Sequence, residues 1–233
     1  MPVEITLRIA KAKMVLRNRE LANWLWAAMR KLGVGPVVLR FHPKSALLKW
    51  GWFHSFGAGT PIDVSGAPLP WWNYAAIDFL DSRLKATFRV LEFGCGHSTL
   101  WLAQRVREVI ALEDNERWVA LVARQLPRNA RVIHVGAFTP EALSDFTDLG
   151  LFDFVVVDCN GDRLFCAQEA VLRFLSRSGI LFFDNTDDVR WADASRLLGE
   201  RGFREIFFVG MAPQVISMTK GSLFYRAENC LGI

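Results

Sequence analysis

The sequence is poor in cysteine and has no cysteine spacing that would hold a metal or a disulfide framework. Its four cysteines, Cys95, Cys159, Cys166 and Cys230, show no C-x-x-C pair. Neither a zinc site nor a disulfide scaffold is therefore expected. We expect reduced thiols in a cytoplasmic protein.

Long apolar runs are also missing. No stretch approaches the roughly 18 apolar residues that a transmembrane helix needs. Near the amino terminus, Arg8, Lys11, Lys13, Arg17 and Arg19 interrupt the apolar centre that a signal peptide would require. The 52% hydrophobic content of the 233 residues is ample for a packed core. The length predicts either one domain of good size or one domain with a substantial extension.

Charge is divided unevenly along the chain. Residues 1–50 hold ten Lys and Arg against two acids, a balance of +8. Residues 51–233 hold 18 Lys and Arg against 22 acids, a balance of −4. A basic leader favours an anionic membrane surface, nucleic acid or an acidic partner, whereas a solvated helix face is the simpler explanation.

A glycine turn followed by a spaced acid is the most informative pattern. Residues 90–99 read as a strand, a tight turn with Gly94 and Gly96, and a helix start, while Glu113 closes the next apolar run, residues 109–112. Glycines let the backbone approach a ligand closely. The following helix offers free N–H groups to an anion, and the acid can accept both hydroxyls of a ribose. The pattern predicts a nucleoside-bearing cofactor.

The turn does not match a dinucleotide site. A pyrophosphate-binding turn needs a third glycine, and that position is Thr99. Glu92, two residues before the first glycine, suits a cationic amine. A cofactor with an amine, a carboxylate and a ribose but no phosphate fits better than NAD, and S-adenosylmethionine is such a cofactor.

The stretch from Glu92 to Thr99 resembles motif I of class I S-adenosylmethionine-dependent methyltransferases, in the form E-x-G-x-G-x-S-T. The resemblance covers about residues 75–230. It implies that Ser98 and the N–H groups of Gly96–Thr99 hold the methionine carboxylate, with Glu92 near the methionine and Glu113 on the ribose. Adenine would lie near Gly136 and Ala137. The full set of expected cofactor-binding residues is Glu92, Gly94, Cys95, Gly96, His97, Ser98, Thr99, Glu113, Asp114, Gly136, Ala137 and Asp158.

Strand and helix patterns alternate through most of the chain. Five short apolar strands alternate with helices, and two final strands, 205–209 and 223–226, have no helix between them, so this pair should be antiparallel. We expect an α/β, Rossmann-like, seven-stranded sheet that is mostly parallel with its last strand antiparallel. Ser98 should cap the helix over 99–106, and Asn115 should cap a helix that buries Trp118, Leu121, Val122 and Leu126.

The amino-terminal third differs from the rest. Residues 4–32 have helical periodicity, and residues 33–72 are irregular and rich in Trp, Phe, Gly and Pro. We predict two parts: residues 1–72, a basic helix with an aromatic cap, and residues 73–233, the methyltransferase domain. The leader helix is a candidate contact for a second copy of the chain or for a membrane surface.

Acids stand at the ends of four predicted strands: Glu92, Glu113, Asp158 and Asp184, the last followed by Asn185. Asp158, Asp184 and Asn185 offer the hard oxygen ligands that Mg²⁺ prefers. The pattern is similar to that of metal-dependent catechol and caffeoyl-CoA O-methyltransferases, and residues 158–163 match the D-x-x-x-D-R run of the catechol enzymes. The catalytic lysine of that run falls on Gly161 here. A metal site and a metal-free base or turn are the alternatives.

Methyl transfer to a hydroxyl needs a proton acceptor. Asp158 is the first candidate, and His54 in the aromatic cap and His97 in the glycine loop follow; a structural histidine is the alternative for each. The aromatic residues of 50–74 predict a substrate wall for a planar ring or a sugar face.

Three functions compete, and no feature of the sequence is dedicated to a fourth, a different group transfer from the same cofactor such as aminopropyl transfer. A small-molecule O-methyltransferase is the first. A nucleic-acid methyltransferase would use the basic leader, but the D/N-P-P-Y/F motif of DNA amino-methyltransferases is absent and no DNA substrate is expected. A non-catalytic S-adenosylmethionine-binding scaffold is the third.

Overall fold

The computed structural model describes residues 20–25, 27–29, 31–33 and 42–233. The chain divides into two compact units, Met1–Lys49 and Trp50–Ile233. In the first unit the described residues 20–25, 27–29 and 31 are helical, in agreement with the predicted leader helix. The rest of that helix lies outside the described residues, and its suggested contacts stay predictions. A short helix, α1 (Ala46–Lys49), ends the unit.

The second unit contains the sheet. The predicted boundary between residues 72 and 73 stays a prediction, although the aromatic segment from Trp50 onward belongs to the same compact unit as the sheet. Among the described residues, no helix combines the length and the apolar character needed to cross a bilayer.

Within the described residues, seven strands form one sheet in the order β3-β2-β1-β4-β5-β7-β6. Strands β1 to β5 pair in parallel, and β7 is antiparallel to both β5 and β6. The predicted Rossmann-like architecture with an antiparallel last strand is confirmed. The strands are β1 (Arg89–Phe93), β2 (Glu108–Glu113), β3 (Ala130–His134), β4 (Phe152–Val157), β5 (Leu175–Phe183), β6 (Arg204–Met211) and β7 (Met218–Tyr225).

Helices cover the sheet between the strands. Asparagine or aspartate side chains cap three of them: Asn73 accepts from the Ala76 N–H, Asn115 from Trp118, and Asp162 from Phe165. The helices are α2 (Trp52–Ala58), α3 (Tyr74–Asp81), α4 (His97–Ala103), α5 (Glu116–Ala123), α6 (Pro140–Ser144), α7 (Arg163–Glu169) and α8 (Ala194–Gly199), with a π-helical segment at Ala170–Phe174 and 3₁₀ turns at Thr147–Leu149 and Val189–Trp191.

The core lies around the central strands. Strands β1, β4 and the second half of β5 are buried along nearly their whole length, as expected for parallel strands covered on both faces. Phe93 packs against Phe138 and Phe174 on one face, while Trp72 packs against Phe182 and Trp101 on the other. This packing fixes the ends of β1 and β4, where the chain order of the sheet reverses.

Two local predictions are wrong. Gly96, not Ser98, precedes the first residue of α4, because the Ser98 hydroxyl donates to Glu92 instead of capping the helix. In α5 only Val122 is buried; Trp118 is 41% exposed and Leu121 is 52% exposed. The helix is short, and Trp118 turns toward the glycine loop rather than the core.

Candidate active site

The predicted acids converge at one edge of the sheet. Glu92, Glu113, Asp158 and Asp184 lie at the carboxyl ends of β1, β2, β4 and β5, which are neighbours in the sheet. The order of the strands reverses between β1 and β4, and ligands of open α/β sheets bind in the crevice at such a point. The sheet therefore places the candidate residues around one crevice.

The turn after β1 requires its first glycine. Gly94 has φ +102°, and a Cβ there would lie 2.6 Å from the Asp158 carbonyl oxygen. Backbone against backbone leaves no room for a side chain. Gly96 is extended, and its N–H donates to the Thr99 hydroxyl at 2.9 Å. The turn is thus locked at both ends.

Glu92 fixes this turn through hydrogen bonds to the first residues of α4. It is buried, and the hydroxyls of Ser98 and Thr99 donate to its two oxygens, Thr99 at 2.6 Å. Burial raises the pKa of Glu92 to about 8. Glu92 does not line the cavity described below, so in the structure it supports the loop rather than reaching a ligand.

Glu113 is held by backbone groups. Its Oε2 accepts from the Cys95 N–H and its Oε1 from the Asn115 N–H, both at 3.0 Å. Burial raises the pKa of Glu113, although both N–H groups oppose the rise. Each oxygen keeps a lone pair, so two adjacent hydroxyls can donate to the fixed carboxylate.

A cavity of about 600 Å³ opens above these residues. On one side it is lined by Cys95, Gly96, His97, Ser98, Glu113, Asn115 and Trp118, and on the other by Thr60, Pro61, Trp71, Ala212, Gln214 and Val215. Asp158, Cys159, Asn160, Arg163, Asp184 and Asn185 line its floor. The volume suits a nucleoside-sized ligand together with a small second molecule.

Trp118 covers the glycine loop. Its indole N–H donates to the Cys95 carbonyl oxygen at 2.6 Å, and a Cβ on Gly96 would contact the indole at 3.8 Å. An exposed indole face beside Glu113 is available to stack on a ligand ring.

Some predicted residues lie outside the cavity lining. Gly136 and Ala137 are exposed in the loop after β3, and Gly136 has open space around it. Asp114 does not line the cavity, and His54 is exposed on α2. These four residues do not line the cavity, and their predicted roles stay predictions.

His97 is the histidine that the fold brings to the site. Its Nε2 lies 2.9 Å from the Thr60 hydroxyl, which joins the glycine loop to the residues after α2. Burial lowers the pKa of His97, so the imidazole is neutral at neutral pH. Within the described residues its Nδ1 has no hydrogen-bond partner.

Asp158 is engaged through both carboxylate oxygens. The Trp72 indole N–H donates to Oδ2 at 3.1 Å, and Arg163 Nη2 lies 2.9 Å from Oδ1. Burial raises the pKa of Asp158, while Arg163 and the Trp72 hydrogen bond oppose the rise. Asp158 is thus anchored, with less freedom to accept a proton than His97 has.

The predicted magnesium site is not supported. Arg163 Nη1 donates to the Asn185 side-chain oxygen at 3.0 Å, so a guanidinium stands between Asp158 and Asn185. Burial, and then Asp158, raise the pKa of Asp184 well above its usual range. In the part of the chain that the structure describes, no cluster of three or more His, Cys, Asp or Glu side chains is arranged to hold a metal.

The aromatic segment contributes less to the cavity than its composition predicts. Trp71 lines it and donates to the Pro213 carbonyl. Trp72 is fully buried beneath Asp158, Trp50 stacks on Tyr74, and Trp52 is buried. Most of these rings therefore pack the segment onto the sheet.

Several cavity-lining residues were not predicted as site residues, among them Arg163, Thr60, Trp118 and Gln214. The sequence indicates Arg163 only as the last residue of the D-x-x-x-D-R run, because a sequence does not reveal that an arginine is buried. Trp118 had a usable signal, since it stands five residues after Glu113 and just inside the next helix.

Comparisons with known proteins agree with this geometry. Residues 91–186 match the model of a family described as "Methyltransferase domain". An O-methyltransferase from Bacillus cereus, solved with SAH, has 15% identity and a TM-score of 0.52, covering 80% of this chain and 93% of its own. The cofactor-bound Rv0187 from MTB has 19% identity and a TM-score of 0.51, covering 84% and 97%.

An rRNA methylase from Streptococcus thermophilus is equally similar in fold, with 17% identity, a TM-score of 0.51, and coverage of 66% of this chain and 95% of its own. No curated protein sequence matches the chain. The chain carries the class I S-adenosylmethionine-dependent methyltransferase fold, and the methyl acceptor is not assigned by these similarities.

Proposed function

We propose that this protein transfers a methyl group from S-adenosylmethionine to a hydroxyl of a small molecule. The observation that carries the proposal is the single cavity that the glycine loop and Glu113 share with His97 and Trp71. A cofactor on the loop side and an acceptor on the Trp71 side would meet in one enclosed space. Positioning of this kind is most of what methyl transfer requires.

The loop side fits the cofactor. The two oriented oxygens of Glu113 would accept the ribose hydroxyls, the N-terminal N–H groups of α4 would hold the carboxylate, and Trp118 would cover the adenosine. When bound, S-adenosylmethionine supplies a methyl group activated by the positive sulfur, which keeps the electron pair of the broken S–C bond. The protein then needs to place the acceptor and remove one proton.

His97 is the proton acceptor in this proposal. Its imidazole is neutral, it lines the cavity, and Thr60 fixes its orientation through Nε2. If Nε2 carries the proton and donates to Thr60, Nδ1 is left to take the proton of the acceptor hydroxyl. Asp158, held by Trp72 and Arg163, shapes the floor beneath the acceptor.

The acceptor side favours a compact molecule with an aromatic or sugar face. Pro61, Trp71, Ala212 and Val215 present apolar atoms, while Thr60 and Gln214 present polar ones. Gln214 already donates to the Ser55 carbonyl and Trp52 to the Val215 carbonyl, so this wall is tied to α2. A mixed wall of this kind excludes water and still orients hydroxyls.

The first test is calorimetric titration with S-adenosylhomocysteine. Glu113→Ala should weaken binding about 100-fold, because two hydrogen bonds to a charged group are lost. Glu116→Ala is the matched control: it removes an exposed acid three residues away that does not line the cavity. Unchanged binding in Glu113→Ala would contradict the proposed cofactor site.

The second test is methyl transfer to a panel of catechols, phenols and sugars, with a structured RNA included. Transfer to a hydroxyl compound that His97→Gln reduces would support the proposal. Methylation of the RNA alone would mean that the methyl acceptor is a nucleic acid and not a small molecule. Binding of S-adenosylhomocysteine without transfer to any acceptor would favour a non-catalytic binding protein.

A further inference from the structure

Arg163 is the most heavily bonded side chain at the carboxyl edge of the sheet. It is the first residue of α7 and is only 9% exposed. Its Nε donates to the Cys159 carbonyl at 2.7 Å and its Nη1 to the Asp184 carbonyl at 2.8 Å. Two side-chain oxygens complete the set: Asn185 Oδ1 at 3.0 Å and Asp158 Oδ1 at 2.9 Å.

The guanidinium therefore joins the loop after β4 to the loop after β5. Asn185 has φ +58°, a left-handed conformation that residues other than glycine adopt infrequently, and its side-chain oxygen accepts a hydrogen bond from Arg163. Four of the five N–H donors of the guanidinium are used in this way. One N–H on Nη2 has no partner among the described residues, and Arg163 lines the cavity.

Arg163 stands where the resemblance to metal-dependent O-methyltransferases predicts an ion. Mg²⁺ needs its oxygen ligands at about 2.0 to 2.1 Å and in nearly octahedral order. Here two of the three predicted ligands each lie about 3 Å from guanidinium nitrogens, and the third, Asp184, presents its backbone carbonyl to Arg163. A divalent ion between them would meet a fixed positive charge.

We propose that the guanidinium of Arg163 takes the place of the divalent cation at this site and holds the oxygen of the methyl acceptor through its free Nη2 donor. The inference rests on the proposed function for the identity of the acceptor, but not for the replacement of the metal. Arg163 acts as a positioning residue: it keeps Asp158 and Asn185 in place and presents positive charge to the oxygen that loses its proton.

The replacement of the metal is tested on the wild-type protein without any activity. Metal-stripped protein is titrated with Mg²⁺ by calorimetry, and with Tb³⁺ by luminescence sensitised from the tryptophans. We expect no stoichiometric binding of either ion. Stoichiometric binding that Asp158→Asn abolishes would overturn the proposal, whether or not the protein transfers methyl groups.

The role of the guanidinium is tested with the acceptor found in the panel. Activity with EDTA should equal activity with Mg²⁺. Arg163→Met should lower kcat about 100-fold, Arg163→Lys should recover part of that loss, and both should bind S-adenosylhomocysteine as the wild type does. Arg173→Met, which breaks the ion pair with Glu169 and does not line the cavity, is the control.

Two results would contradict this role. Activity that requires Mg²⁺ would show that a metal ion, not Arg163, holds the acceptor oxygen. An unchanged kcat in Arg163→Met would show that Arg163 only links the two loops. If Arg163→Met does not fold, the lysine variant and the wild-type metal titration still decide the question. Failure of S-adenosylhomocysteine to bind the wild type would count against the proposed function and leave the metal result standing.

Discussion

Two pairs of strand ends carry buried acids, and the protein accommodates the two pairs by different means. At β1 and β2, Glu92 and Glu113 accept hydrogen bonds from hydroxyls and backbone N–H groups. At β4 and β5, Asp158 is paired with Arg163, while burial raises the pKa of Asp184 well above its usual range. The first arrangement leaves acceptors on Glu113 free for ligand hydroxyls, and the second leaves one N–H of Arg163, unpaired within the described part of the chain, free for a ligand oxygen.

The difference assigns a role to each half of the crevice. A carboxylate that is fixed only by N–H donors can still accept hydrogen bonds, which suits a ribose. Burial raises the pKa of Asp158, but Trp72 and Arg163 already hold its two oxygens. This carboxylate is therefore less available to an acceptor hydroxyl than His97 is. The comparison therefore supports the proposal that the proton acceptor is His97 on the glycine loop rather than a residue of the arginine-held side.

The largest expected effect comes from removing that acceptor. His97→Gln should lower kcat/KM about 100-fold or more. A base must be neutral, and the pKa of His97 lies below its usual 6.5, so wild-type activity should be complete at neutral pH and fall as the pH drops through that pKa. Rates measured from about pH 5 to 8 test this.

His134→Gln, at the end of β3 and outside the cavity lining, is the control for this prediction. This variant should keep both the wild-type rate and the fall in activity at low pH. If His97→Gln loses activity at low pH in the same way as the wild type, the proton acceptor is not His97 and lies in the arginine-held half of the crevice.

The next largest effect tests the close approach between the two halves. Gly94→Ala should destabilise the fold by about 3 kcal/mol, because its Cβ would meet the Asp158 carbonyl at 2.6 Å and φ is +102°. Gly96→Ala is the matched variant, and its Cβ would make only ordinary contact with Trp118. Urea unfolding should show a clearly lower free energy of unfolding for Gly94→Ala than for Gly96→Ala. Equal values would mean that the glycine loop and the loop after β4 are not in contact.

A smaller effect concerns the buried acid beneath the loop. The folded-state pKa of Glu92, about 8, lies above its usual 4.5, so the folded protein holds a proton that the unfolded chain releases. This contribution to stability is complete below pH 4.5 and is lost as the pH rises to about 8. Glu92→Gln should remove this dependence, which amounts to at most about 1.4 kcal/mol per pH unit.

Denaturant unfolding of wild type and Glu92→Gln at several pH values across this window measures how the free energy of unfolding changes with pH. Glu108→Gln, at the opposite end of β2 and paired with Arg89, is the control and should keep the pH dependence of the wild type. Parallel pH curves for wild type and Glu92→Gln would show that Glu92 is ionised in the folded protein.

The smallest effect concerns the link between Glu113 and α5. Asn115 caps α5 through its side chain and donates its N–H to Glu113. Asn115→Ala should cost about 1 kcal/mol of stability, while Asn115→Ser, which keeps a capping oxygen, should cost less. Thermal unfolding compares the two, and an equal loss in both variants would argue against the cap.

Much of the fold was predictable from local patterns. The strand before the glycine turn was predicted where β1 lies, and the antiparallel final pair followed from the absence of a helix between two strands. These features depend on short-range rules of periodicity and connection length. The caps at Asn73, Asn115 and Asp162 likewise follow from residue types that bond to nearby backbone groups.

Short stretches of the chain were enough to predict the order of strands and helices, the glycine turn and the acids at the strand ends, because each of these depends on neighbours in the chain. The tertiary structure decided which of those acids face the cavity, and it placed Arg163 between Asp158 and Asn185. It also turned Trp118 toward the loop and left His54 outside. These outcomes depend on contacts between residues distant in the chain, and packing of the whole sheet is what brings such residues together.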